Sequence, residues 1–250
     1  MKWELGDGTD GWRQLRIAVS WEELADDYRD LLDSYSRVKL PGFRPGKVPR
    51  AVLEQRFGRE MLAALGQRGA DRFARQALRE AEIEAAGPLE IDEITAVKGE
   101  PLHCTGRFVP VPVFELPEYR VLAGVKDAEA PLDELSRLLL EQTPFTVPAP
   151  LVRHELELEG NAECDPGSDA WHAAEERVRL MLILKRIARS EGIEVDERDV
   201  ERRIAAKAQE FDVSPTKLKA ELEKDGGYLR LREMLLAEST LGYLLHLNDQ

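Results

Sequence analysis

The chain is poor in the residues that most often carry chemistry. Its two cysteines, Cys104 and Cys164, lie far apart in 250 residues with no CxxC partner. Ordinary buried thiols are therefore expected, and neither a disulfide framework nor a thiolate metal site is. The four histidines, His103, His154, His172 and His246, never stand three or four positions from another His or Cys. His103 and Cys104 are neighbours in a strand pattern and so face opposite sides, which leaves no metal site in the expectation. No P-loop and no GxSxG elbow is present, and paired acids such as Asp26-Asp27 and Glu175-Glu176 fit solvated helix faces. The longest apolar run in a helical pattern, Leu180–Leu184, is far short of the ~20 residues a membrane helix needs. Met1–Asp7 has neither a basic n-region nor an apolar core, so no leader, no membrane partner and a cytoplasmic location are expected. Aromatics make up only 6% of the chain while charged residues reach 33%, a balance that suits a helix-rich, elongated protein with modest cores. No catalytic residue and no cofactor is expected.

What the chain does have is a stiff, basic loop. Gly42-Phe43-Arg44-Pro45-Gly46-Lys47-Val48-Pro49 places two prolines, which fix φ and lack an N–H, among two glycines, which permit tight bends. Neither a regular helix nor a central strand tolerates that composition. From Arg37 to Arg59 there are seven Lys or Arg (37, 39, 44, 47, 50, 56 and 59) and one acid, Glu54, a net of +6 in a chain whose total is −13. An aromatic beside a guanidinium on a pre-shaped loop loses little entropy on docking. The concentrated positive charge favours a polyanion, with nucleic acid the leading candidate.

These residues resemble the ribosome-docking signature of the trigger factor family, the bacterial chaperones of the nascent-chain exit tunnel, whose pattern is G-F-R-x-G-[KR]-x-P between two helices of the N-terminal domain. Every fixed position is matched by Gly42, Phe43, Arg44, Gly46, Lys47 and Pro49. The one visible departure is Pro45, where many members carry Lys, so one cationic contact is missing from the pattern. The flanks are similar to the family as well, down to the Val113-Phe114-Glu115-Leu116-Pro117 exit, and Phe145–Val152 is similar to the start of its second C-terminal helix. Family members insert a prolyl-isomerase domain after this exit. Here only Glu118–Ala130 separate Pro117 from the next helix signal at Pro131, too few residues for a domain of at least about 50.

Along the chain, Trp3–Leu5 and Trp12–Val19 alternate polar and apolar around Gly6–Gly11, a hairpin with a long turn. Ser20 with Glu23 forms a capping box that opens a helix to about Tyr35, with Leu24, Tyr28, Leu31 and Leu32 on one face. After the loop, Val52, Phe57, Met61, Leu62, Leu65, Phe73 and Leu78 support a short helix and then a longer one, ending before Gly87-Pro88. Leu89–Ile94 and Leu102–Val109 read as strands joined by a Gly99-Glu100-Pro101 turn. Beyond Val121 only helices are expected: Pro131 to Leu140, one from Val152, Asp169 to Glu191 stopped by Gly192, then helices opened at Asp196 and Ser214-Pro215, and a last one after Gly226-Gly227 through Leu247. Residues 1–120 hold 18 basic and 21 acidic side chains, net −3, whereas residues 121–250 hold 17 and 27, net −10. RNA would attract the loop and repel the helical half.

The expected fold is an α+β N-terminal domain over 1–117, a helical pair on a small antiparallel sheet. A short linker at 118–130 stands in place of the isomerase domain, and an all-α C-terminal domain fills 131–250. The resemblance implies an ATP-independent chaperone, and the short gap after Pro117 one without the isomerase domain. Phe43, Arg44 and Lys47 would contact a large-subunit protein and adjacent ribosomal RNA, with Gly42, Pro45, Gly46 and Pro49 shaping the loop. Unfolded or nascent chains would be shielded by the helical domain. The client-contact residues are not assignable from the sequence: Leu180–Leu184 and the last helix (Met234, Leu235, Leu236, Leu241, Tyr243, Leu244, Leu245) are apolar all round, which core packing explains equally well. The alternatives are a holdase or assembly chaperone acting off the ribosome, whose binding would show little salt dependence, and an isomerase with an unrecognised site, which a catalysed slow phase in proline-limited refolding would reveal. Self-association as a weak homodimer is left open.

Overall fold

The computed structural model describes residues 1–122, 130–161 and 163–247. By packing, the chain divides into two units, Met1–Val111 with Pro148–Leu151, and Pro112–Val147 with Val152–Gln250.

The first unit is a four-stranded antiparallel sheet with two helices. The strands are β1 (Lys2–Asp7), β2 (Arg13–Val19), β3 (Glu90–Thr95) and β4 (Leu102–Phe108), in the order β1-β2-β4-β3. Leu15, Ile17 and Val19 of β2 and Leu102, Cys104 and Phe108 of β4 are buried on one face, the period-2 alternation of a half-covered sheet. Gly6, Gly8 and Gly11 have the spacing of a dinucleotide-binding fingerprint, but they lie at the β1–β2 hairpin, where Trp12 N–H donates to Thr9 O at 3.0 Å and no helix follows. That spacing therefore makes no phosphate cradle. Burial pushes the Cys104 thiol up to about 11, so this cysteine is an inert core residue.

Helix α1 (Trp21–Ser36) opens at the expected capping box, the Glu23 carboxylate accepting from Ser20 N–H at 3.2 Å and Ser20 Oγ at 2.9 Å. It buries Leu24, Tyr28, Leu31 and Leu32. Helix α2 (Arg50–Glu80) corrects the expectation of a short and a longer helix: it is one helix of 31 residues. Two of its glycines serve close packing. A Cβ on Gly66 would stand 2.7 Å from Ile94 Cγ2, and one on Gly69 2.9 Å from Leu102 Cδ2, so the helix lies tight on the sheet only because both lack side chains.

Among the described residues the rest of the chain has helices and no strand: α3 (Pro131–Gln142), α4 (Ala149–Leu158, whose first three residues fall in the first unit), α5 (Asp169–Glu191), α6 (Glu197–Glu210), α7 (Pro215–Asp225) and α8 (Gly227–His246). Ser168, Asp196 and Ser214 cap α5, α6 and α7 by accepting from Trp171, Arg198 and Lys217 N–H. Gly192 ends α5 at φ +68°. Helix α4 starts at Ala149, three residues before the expected Val152, because Pro150 falls in its first turn, where a missing N–H costs nothing. Residues 112–122 pack with the second unit. Phe114 stacks on Phe145 at 4.3 Å, and the pair is flanked by Arg186 over Phe114 and Arg179 over Phe145, at 5.3 and 5.9 Å. Glu191 accepts from Tyr119 and Tyr243 hydroxyls, each at 2.7 Å, and from Arg120 at 2.6 Å, and these donors hold its carboxyl down to about 2. The rest of the expected 118–130 linker, residues 123–129, lies outside the described residues.

The two kinds of glycine in α2 separate on mutation. Gly66→Val, driven into Ile94, is expected to destabilise the chain by about 1–3 kcal/mol in urea unfolding. Gly58→Ala, whose Cβ meets nothing within 4 Å, is expected to stabilise it by roughly 0.5–1 kcal/mol.

Candidate functional site

The segment between α1 and α2 is built on two buried anchors. Leu40 is 5% exposed and Val48 8% exposed, and everything between them, Pro41 to Lys47, is exposed. Two consecutive β-turns fill that span. Phe43 N–H donates to Leu40 O at 3.1 Å, and Lys47 N–H donates to Arg44 O at 2.9 Å. Each turn has proline at its second position and glycine at its third, with φ +86° at Gly42 and +79° at Gly46, the pattern of a type II turn. A Cβ at either glycine would meet nothing within 4 Å. What demands glycine here is therefore the left-handed backbone and not space. Gly46 N–H also donates to Ser36 O at 2.7 Å, satisfying one of the carbonyls left over at the end of α1. Pro49, extended at φ −60° and ψ 141°, is the N-cap of α2.

The turns present Phe43, 39% exposed, beside exposed Arg44 and Lys47. Arg37, Lys39, Arg56 and Arg59 are exposed too, as is Val38. Of the seven basic side chains, Arg50 is the one in an ion pair among the described residues, 2.8 Å from Glu54. Glu54 is also the tie that fixes the start of α2: it accepts from Lys98 Nζ of the β3–β4 turn at 2.7 Å and from Tyr28 Oη of α1 at 3.1 Å. The hydrogen bond from Lys98, then that from Arg50, holds its carboxyl down to about 2. The segment's one acid is thus spent on structure, and the positive field of the loop stays unneutralised.

All seven loop residues singled out in the sequence (Gly42, Phe43, Arg44, Pro45, Gly46, Lys47, Pro49) come together in this one element. Sequence reasoning missed its supports. Leu40 and Val48 were legible as the apolar residues bracketing the loop, but Lys98 lies 44 positions from Glu54 and no local pattern marks it. The apolar run in α5 is mostly interior: Leu182, Ile183 and Leu184 are buried, and Leu180 and Met181 half-buried. Among the described residues no cluster of His, Cys, Asp and Glu could hold a metal ion, and no helix is long and apolar enough to cross a membrane.

Residues 1–135 match the family model of the bacterial trigger factor protein (TF), and residues 153–246 match that of its C-terminus. The chain belongs to the trigger factor family. Trigger factor of Solidesulfovibrio magneticus is 32% identical over 119 residues, 44% of this chain and 27% of that protein. Those of Mycobacterium leprae and Bacillus licheniformis are each 37% identical, over 117 and 143 residues, 46% and 54% of this chain. The chain therefore spans between a quarter and a third of the curated trigger factors it matches, 25% to 32% of their length. A solved structure from work on promiscuous substrate recognition in folding and assembly activities of the trigger factor chaperone is similar over 98% of this chain and 99% of that one. Its TM-score is 0.51 at 12% identity, a likeness of fold alone. The two trigger factor models leave only residues 136–152 between them, and neither describes an isomerase domain.

The Glu54 tie has a pH signature. Its folded pKa lies below the ordinary 4.5, so its contribution is complete above about 4.5 and fades as pH falls toward about 2. Surface screening keeps it near 1 kcal/mol. Glu54→Gln should lower stability by about that much at neutral pH, and the gap to the unmodified chain should close on acidification. Urea unfolding at several pH values measures both.

Proposed function

We propose that this chain is an ATP-independent chaperone that docks on the ribosome near the exit tunnel through the Gly42–Pro49 loop. Phe43, Arg44 and Lys47 make the contact, with a large-subunit protein and adjacent ribosomal RNA, on a frame set by Gly42, Pro45, Gly46 and Pro49. The observation that carries this reading is the loop itself: a preformed double turn that holds an aromatic and two cations in solvent on an otherwise acidic protein. Ordering costs are met before the partner arrives, and the charge supplies attraction to phosphate.

The helical region after the docking domain acts as the chaperone domain, in the cytoplasm. Unfolded or nascent polypeptides are its clients. Supporting this, the helical unit exposes large apolar side chains singly along its length, among them Leu158, Phe211, Leu229, Met234 and Tyr243. Scattered apolar contacts suit weak, broad, fast-exchanging binding better than one deep pocket does. The chain works by binding and performs no proline isomerisation, since its matched models leave no stretch long enough for that domain.

Ribosome co-sedimentation tests the reading. The unmodified chain should pellet with ribosomes, with affinity falling about ten-fold from roughly 50 to 200 mM salt if two phosphates are contacted. Phe43→Ala/Arg44→Ala/Lys47→Ala should abolish it. Equal pelleting of both chains, or of neither, sinks the docking claim and favours an off-ribosome holdase.

A further inference from the structure

We propose that Pro41 and Pro45 are positioning residues that hold the docking side chains in their binding geometry before any partner is met. This rests on reading the loop as the docking element. The two turns, Leu40-Pro41-Gly42-Phe43 and Arg44-Pro45-Gly46-Lys47, repeat one design at a spacing of four residues. They abut at the Phe43–Arg44 peptide, so the two side chains assigned to the contact are the last corner of one turn and the first corner of the next. Lys47 closes the second.

Packing does not hold this shape. Between Leu40 and Val48 no residue is buried, and among the described residues neither Arg44 nor Lys47 joins an ion pair or a side-chain hydrogen bond. What remains is backbone: two turn-closing hydrogen bonds, the Gly46 N–H to Ser36 O bond, two left-handed glycines and two prolines. Glycine alone widens the unfolded ensemble of a loop, whereas proline narrows it by fixing φ. Each Pro-Gly pair therefore combines the one residue that tolerates the left-handed corner with the one that pre-sets the corner before it. With no tertiary contact to compensate, loss of the prolines releases the turns. Pro45 also stands where another residue could have carried a charge. Its contribution is geometric and leaves the count of phosphate contacts untouched.

The test is the double variant Pro41→Ala/Pro45→Ala, which changes neither charge nor any contact side chain. In the free protein, amide exchange at Phe43 and Lys47 should accelerate, while the unfolding midpoint of the whole chain falls only slightly, through the wider unfolded ensemble and with no loss of core packing. Ribosome affinity should drop about 2- to 5-fold per proline, with the slope of log affinity against log salt unchanged. Arg44→Ala, by contrast, should lower that slope by about 0.7–0.9 for the lost phosphate contact. Unchanged exchange would show that the prolines do not hold the turns. Faster exchange with unchanged affinity would show that pre-setting the turns does not aid docking. Either result overturns the proposal. An unmodified chain that fails to bind overturns the docking reading and the positioning role with it, and the exchange measurement still decides whether the prolines hold the turns.

Discussion

Two residues with φ near +80°, Gly42 and Gly46, constrain everything proposed for this molecule. Each can be occupied without strain only by glycine, and each follows a proline that fixes the preceding corner. Between them they turn seven residues into a rigid projection fastened at buried Leu40 and Val48. The rest of the N-terminal unit is a foundation for that projection. The end of α1 lends it a carbonyl at Ser36, and the start of α2 is fastened by Glu54 to both α1 and the β3–β4 turn. Further along, α2 lies tight on the sheet through Gly66 and Gly69. A loop carrying this much like charge costs Coulomb energy at close range, which the high dielectric of water reduces: all seven cations are exposed, and Arg50 is also paired with Glu54.

The helical unit is organised by a different device. Leu231 and Leu235 of α8 pack with Val200 and Ile204 of α6, while Thr240 and Leu244 are buried further along. Leu231 and Thr240 are nine residues apart, about two and a half turns, so they face opposite sides. One helix thus buries residues on opposite faces, which is why its sequence is apolar all round. Single apolar side chains stay at the surface of this unit, and the net −10 over residues 121–250 opposes self-association through them. The Glu191 clasp and the Phe114–Phe145 stack add fixed polar and aromatic ties.

Local physics made much of this legible. The capping box at Ser20 and Glu23, the Gly192 stop and the caps at Asp196 and Ser214 each follow from a residue and its near neighbours, and each stands where expected. The loop was legible because Pro-Gly pairs have so few conformations. What stayed hidden was non-local. The role of Gly66 and Gly69 in α2 is invisible locally because it lies in strands about 30 residues away. The start of α4 at Ala149 stayed hidden because the place of Pro150 within a first turn is invisible until the turn exists. The Lys98–Glu54 tie and the stacking of Phe114 on Phe145 pair residues 44 and 31 positions apart, with no periodicity to announce them. Client contacts were hidden for another reason: a core residue and a client-binding residue of a helix are both simply apolar.

The account stands on the loop touching the ribosome, and site-specific photo-crosslinking asks this most directly. A photoreactive phenylalanine analogue placed at Phe43, and separately at the exposed Phe211 of the helical unit, would be irradiated on ribosomes carrying a nascent chain. Position 43 should crosslink to a large-subunit component at the exit site, and position 211 should not crosslink to that component. Crosslinks from position 43 that are absent, or no more specific than those from 211, would contradict it.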